Sequence, residues 1–148
     1  MAKVSIVGAG PGSLDLMTIK AIDRLKNAEV ILWTDSLIPK EIVDLSQQNC
    51  ELISTSSLTL EKIIPTLIKK SKEGKNVVRL HDGDPCLFGA LTEQINLLNE
   101  AGIEVEVIPG ISAYQATAAA LEAELTIPGV TQTIVLSRAS GRTGTPEL

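Results

Sequence analysis

Apolar residues recur along this chain in two alternating rhythms, short unbroken runs and longer stretches in which they return at helical spacing. Lys3 to Gly8 reads as a buried strand. After the glycine-rich Gly8-Ala9-Gly10-Pro11-Gly12-Ser13 comes a helix whose Leu16, Ile19, Ile22 and Leu25 share one face. Ala28 to Trp33 is a second strand ending at Thr34-Asp35-Ser36-Leu37, and Pro39 to Leu45 is a short helix. Glu51 to Ile53 is a brief third strand, and the polar Ser54-Thr55-Ser56-Ser57 leads into Leu60, Ile63, Ile64, Leu67 and Ile68 at helical spacing. Pro65 lacks a backbone donor and is expected to kink that helix or delay its start.

Gly74 caps that helix, and Val77 to Leu80 forms a fourth strand before the turn Asp82-Gly83-Asp84-Pro85. Phe88, Leu91, Ile95 and Leu98 then stripe a helix that Gly102 ends. Ile103 to Ile108 alternates with Glu104 and Glu106, which suits a half-exposed edge strand. Beyond Pro109-Gly110, Ser112 and Gln115 have capping-box spacing and open an alanine-rich helix to about Glu124. Thr131 to Leu136 reads as a last strand. This alternation predicts an α/β fold, a mostly parallel sheet with helices on both faces. Residues 1–111 are expected to form one domain. Residues 112–148 read as a linker helix and the first strand of a second domain, into which the sequence is expected to continue.

Composition narrows the chemistry. A net charge of −5 opposes a phosphate-binding surface, and three aromatics (Trp33, Phe88, Tyr114) supply little base stacking, so no nucleic-acid partner is expected. Cys50, Cys86 and the single His81 are too sparse for a disulfide framework or a metal cluster. No apolar run has the length of a membrane span or signal-peptide core, which points to a cytoplasmic protein without a membrane partner.

Several loops sit where strands end, the edge at which open α/β sheets bind ligands. The first glycine loop allows a dinucleotide reading with Asp35 on a ribose, or a plain structural turn. Ser13 stands in the place of the third glycine, and Pro11 has no N–H for a pyrophosphate. Asp82 and Asp84 suit a metal, a carboxylate pair, or a helix cap. Cys86 reads as a small core residue, and His81 as a hydrogen-bonded strand end or a catalyst. Arg79, Arg138 and Arg142 suit carboxylate binding or solvated surface.

In combination, Gly8-Ala9-Gly10-Pro11-Gly12, Asp35-Ser36-Leu37, Gly83-Asp84-Pro85 and Val107-Ile108-Pro109-Gly110-Ile111-Ser112 resemble the tetrapyrrole methylase family over essentially the whole chain. Ser57-Leu58-Thr59-Leu60-Glu61, Arg79-Leu80-His81, Glu93-Gln94, Leu125-Thr126-Ile127-Pro128, Thr131-Gln132-Thr133 and Gly141-Arg142-Thr143 are similar to the branch that methylates C11 of precorrin-4 or cobalt-precorrin-4 in cobalamin biosynthesis. The resemblance implies a two-domain, homodimeric enzyme using S-adenosyl-L-methionine and releasing S-adenosyl-L-homocysteine. It implies cofactor contacts at Pro11, Asp82, Gly83, Asp84, Leu87, Ser112 and Ala113, and a proton acceptor at Asp35. Arg79, His81, Arg138 and Arg142 are then expected to face the carboxylates of a tetrapyrrole, with no metal held by the protein. Uroporphyrinogen-methylating relatives carry Gly-Lys-Arg where this chain has Ser54-Thr55-Ser56, which argues against uroporphyrinogen as substrate.

Overall fold

A computed structural model describes residues 2–139. The described chain divides into two compact units, the first ending at Ala116 and the second beginning at Thr117. The first contains strands β1 (Lys3–Gly8), β2 (Val30–Trp33), β3 (Glu51–Ser54), β4 (Val77–His81) and β5 (Glu104–Ile108). They form one sheet in the order β3-β2-β4-β1-β5. Every pairing is parallel, with Val4 opposite Val77 and Val105, and Gly8 opposite His81.

The helices follow from the strand order. Helices α1 (Ile19–Lys26) and α2 (Lys40–Val43) lie in connections that run toward β3, whereas α3 (Leu60–Lys72) and α4 (Leu91–Glu100) lie in connections that run toward β5. Right-handed crossovers in opposite directions place the two pairs on opposite faces. The core divides accordingly. Ala21, Leu25, Ile42 and Val43 pack with Val7, Ile31, Val78 and Leu80. Ile63, Ile64, Leu67 and Leu98 pack with Val4, Ile6, Val30, Leu32 and Val77. Strands buried on both faces are rich in apolar residues, unbroken in β2 and interrupted by Ser5 in β1 and by Arg79 and His81 in β4.

Several expectations need correction. Helix α1 starts at Ile19 because Thr18 caps it, its Oγ1 accepting from the Ala21 amide at 3.1 Å. That register buries Ala21 and Leu25 and leaves Ile19 88% exposed, so Leu16 and Ile19 are outside the packed stripe. Phe88 is likewise outside α4, 60% exposed and in the left-handed region, which ends helical continuity before Leu91. Cys86 is exposed rather than part of the core. Pro65 lies inside α3, which runs from Leu60, so of the two effects expected of it the delayed start does not occur.

Helix α5 (Ala113–Ala120) opens as its capping-box spacing implies, with the Ser112 amide donating to Gln115 Oε1 at 3.4 Å. It ends before Glu124 because Glu122 turns left-handed, and the Ala123 amide returns to the Ala118 carbonyl at 2.9 Å. In the second unit, 132–139 is without regular structure, and the expected strand at 131–136 is reduced to a bridge between Ile127 and Thr131. A strand needs a ladder partner, and the described residues offer none there.

Candidate functional site

The strand order puts one topological switch point in the sheet. Leaving β1 the chain crosses toward β2, and leaving β4 it crosses to β5, so the neighbouring carboxyl ends of β1 and β4 open a crevice. The loops 9–13 and 82–88 flank it. The 109–112 loop leaves β5 on the other side of β1 and crosses back over them.

Glycine makes this convergence possible. A Cβ on Gly8 would lie 2.6 Å from the Gly110 amide nitrogen and 2.7 Å from the Gly83 carbonyl oxygen. One on Gly110 would overlap that same oxygen. Gly10 and Gly83 exchange amide bonds of 3.1 and 2.8 Å, and the Ala9 amide donates to His81 O at 2.7 Å. Three loops therefore meet backbone to backbone, with no side chain between them. Asp84 adds a side-chain tie. Its Oδ1 accepts from the Cys86 amide at 2.7 Å and its Oδ2 from the Gly110 amide at 3.4 Å. Of the roles open to Asp84, it fills that of an acceptor of turn amides.

These bonds remove the dinucleotide reading. The Gly10 amide, needed to cradle a pyrophosphate, is spent on Gly83, and Pro11 has no N–H. The exposed Asp15, Asp35 and Asp82 also make this edge hostile to a doubly negative group and hospitable to a cation. S-adenosylmethionine, with its sulfonium and ammonium, fits such an edge. Pro11, Gly83, Asp84 and Leu87 are partly exposed here, Asp82 and Ala113 are exposed, and Ser112 is buried at the start of α5.

Asp35 lies at the end of β2, beside β4. Its Oδ1 accepts from Ser54 Oγ at 2.5 Å and from Ser56 Oγ, and these two hydroxyls hold its carboxyl below the usual range. Sequence reading took 54–56 as part of a polar turn and as a departure from relatives; the structure makes Ser54 and Ser56 partners of Asp35.

The two basic candidates of β4 are inside the protein. Arg79 is 6% exposed, and its Nη1 donates to Leu80 O at 3.0 Å and Leu32 O at 3.3 Å. Burial lowers it to about 10, partly opposed by the Asp82 charge, so it remains a cation at neutral pH. Its Nε is buried without a partner. His81 is 8% exposed and held to about 4, first by burial and then by the Arg79 charge. It is a neutral imidazole at pH 7. Gln94, which sequence reading gave no role, reaches His81 from α4. A polar residue at an apolar stripe position, between Leu91 and Leu98, was the available signal. Arg138 is exposed in the second unit, and Arg142 lies outside the described residues. Among the described residues no three His, Cys, Asp or Glu side chains cluster to hold a metal, and no helix is long and apolar enough to cross a membrane.

A parallel α/β sheet with a glycine-built crevice at its switch point and an acidic rim defines a small-molecule binding domain. The family model for Tetrapyrrole (Corrin/Porphyrin) Methylases matches residues 3–147, and the chain belongs to that family. It is 46% identical over 145 residues to a cobalt-precorrin-4 C(11)-methyltransferase of Priestia megaterium, covering 98% of this chain and 56% of that protein. The solved structure of a cobalt precorrin-4 methyltransferase superimposes with a TM-score of 0.92 at 45% identity, over 99% of this chain and 61% of that one. A uroporphyrin-III C-methyltransferase from Thermus thermophilus, complexed with S-adenosyl homocysteine, matches at a TM-score of 0.70 and 31% identity, over 86% of this chain and 51% of that one. The chain thus spans little more than half the length of these relatives.

Proposed function

We propose that this chain supplies the S-adenosylmethionine-holding sheet edge of a C-methyltransferase that acts on C11 of precorrin-4 or cobalt-precorrin-4 in cobalamin biosynthesis. The observation that carries the reading is the backbone meeting of Gly8, Gly83 and Gly110 at the switch point, beneath a rim of exposed aspartates. Pro11, Asp82, Gly83, Asp84, Leu87, Ser112 and Ala113 hold the cofactor, which supplies an electrophilic sulfonium methyl when bound. Methyl transfer to a ring carbon needs placement more than a strong nucleophile, and rigid backbone supplies placement. Asp82 is an exposed carboxylate on the loop that flanks the crevice, available to the cofactor's positive charge, while Asp84 keeps the loop in shape.

Asp35 is assigned as proton acceptor. Ionised at neutral pH and held low by two serines, it is a weak base, and its loss should lower kcat more than it raises KM. The substrate's carboxylates are assigned to Arg138 and Arg142; Arg79, buried with its guanidinium on the Leu32 and Leu80 carbonyls, is left out of that set, and neutral His81 is limited to hydrogen bonding. In an enzyme of the relatives' full length, Arg138→Ala should raise KM, and an unchanged KM removes it from the set. The same reading makes the intact enzyme a cytoplasmic homodimer; light scattering of the intact enzyme checks the dimer, and cell fractionation checks the location.

Calorimetric titration of the 148-residue chain with S-adenosylhomocysteine tests the cofactor assignment, with NAD as comparison. Saturable one-site binding of the first and none of the second is expected. Binding of NAD alone would overturn the reading. The partial coverage of the relatives favours weak rather than tight binding by this chain alone. Mass spectrometry of a full-length reaction with precorrin-4 and its cobalt form would then identify the substrate.

A further inference from the structure

Helix α4 carries one polar side chain in its buried face, Gln94, 1% exposed. Its Nε2 lies 2.9 Å from Gly89 O, 3.4 Å from Ala90 O and 3.3 Å from His81 Nε2. Carbonyl oxygens only accept, so the atom facing them is the amide nitrogen, and turning the amide over would set oxygen against oxygen. One N–H is directed at Gly89. The other meets His81, whose Nε2 must present a lone pair, which makes the ring the Nδ1–H tautomer.

The backbone that Gln94 grips is strained. Phe88 and Ala90 have φ of 57° and 49°, a left-handed conformation that costs a non-glycine residue on the order of 1 kcal/mol. Gly89 between them has no room for a Cβ, which would overlap the Pro85 carbonyl oxygen. Ala90 is the N-cap of α4 and offers no capping side chain. Such a turn persists only where its surroundings over-determine it. A buried amide is also costly unless it is bonded, and Gln94 Oε1 is without a partner. Leucine would fill this position more cheaply, so the donors are what glutamine adds.

We infer that Gln94 is a positioning residue: its amide ties the Phe88-Gly89-Ala90 turn, with its left-handed Phe88 and Ala90, to the His81 ring at the end of β4, and so fixes the shape of the Asp82–Leu87 loop before any ligand arrives. The functional meaning rests on the reading of that loop as a cofactor contact. The geometry is independent of it.

The test needs no ligand. His81 is the only histidine, so its ring nitrogens give an unambiguous ¹⁵N signature at pH 7. The wild-type ring should be the single Nδ1–H tautomer. Gln94→Leu removes both donors at similar volume and should still unfold cooperatively. It should mix the two tautomers and speed amide exchange at residues 87–90 by about tenfold, with residues 4–7 and 77–80 unchanged. An Nε2–H tautomer in the wild type, or wild-type exchange at 87–90 in the variant, overturns the inference. Should Gln94→Leu not fold, Gln94→Met replaces it, and the wild-type tautomer decides on its own. Failure of S-adenosylhomocysteine to bind would count against the proposed function and leave these readouts untouched.

Discussion

Strand β5 is joined to the protein in two contrasting ways a few residues apart. At Glu106 the joint is made of side chains: Arg24 Nε at 2.9 Å and Nη2 at 3.2 Å, Lys20 Nζ at 2.6 Å, Lys3 Nζ at 3.7 Å and Ser5 Oγ at 3.2 Å all converge on one carboxylate. At Gly110 the joint is made by having no side chain, the bare backbone lying against Gly8, Gly10 and Gly83. The first closes a sheet edge with long-range forces that soften gradually. The second is steric, and sterics fail abruptly. That difference separates what holds the sheet from what shapes the crevice, and it can be measured.

The largest expected effect is Gly110→Ala. The added Cβ overlaps the Gly83 oxygen, and the backbone on either side has no flexible end to move. Overpacking of this kind should cost about 3 kcal/mol, or roughly 6–12 °C in Tm. Gly74→Ala is the contrast. Its φ of +80° is unfavourable, but nothing lies within 4 Å, so the cost should stay near 1 kcal/mol. Thermal melts of both variants would sink the steric account if Gly110→Ala were the milder.

A second, smaller effect tests the wall beneath the crevice. Burial and the Arg79 charge hold His81 to about 4 in the folded protein, against about 6.5 unfolded. Between those values the unfolded chain binds the extra proton. The stability that a neutral His81 contributes is therefore fully present above about pH 6.5 and is lost as pH falls toward 4, about 2 kcal/mol having gone by pH 5. Urea unfolding of the wild type and His81→Asn at pH 7 and pH 5 isolates this term from the carboxylates. Parallel losses in the two proteins would show His81 to be ordinary.

How much of this was legible in the sequence follows from the same contrast. Apolar runs marked β1, β2 and β4, because a parallel sheet buries both faces, even though Ser5 interrupts β1 and Arg79 and His81 interrupt β4; alternation with Glu104 and Glu106 marked β5. The glycines marked the convergence point as loops. Nothing in their spacing said that Gly8, Gly83 and Gly110 touch, since that contact depends on the strand order. Periodicity failed where a local conformation overrode it. Thr18 set the start of α1, left-handed Phe88 and Ala90 delayed α4, and left-handed Glu122 cut α5 short. Side-chain roles were the least legible. Arg79 was expected at the ligand edge, yet its guanidinium lies inside the sheet's packing, on backbone carbonyls. Asp35 was identified without Ser54 and Ser56, because its partners come from a neighbouring strand end.

The smallest effect belongs to Glu106, and it completes the comparison. Hydrogen bonding to Arg24 leads, with Lys20 and Lys3 adding to it, and the carboxyl is lowered to about 2 from a usual 4.5. A lowered carboxylate contributes stability that is present above about pH 4.5 and lost as pH falls through about 2. Its side chain is 15% exposed, but Lys20 is 54% exposed and Arg24 34%, so solvent screens much of the attraction. Glu106→Gln should cost about 1 kcal/mol at pH 7 and low salt. In 1 M NaCl the screening length is about 3 Å, and the gap between wild type and Glu106→Gln should narrow by about half. The gap for Gly110→Ala should not move, because steric overlap has no ionic strength dependence. Urea unfolding of the three proteins at both salt concentrations makes the measurement, and equal salt sensitivity of the two gaps would erase the distinction between the joints.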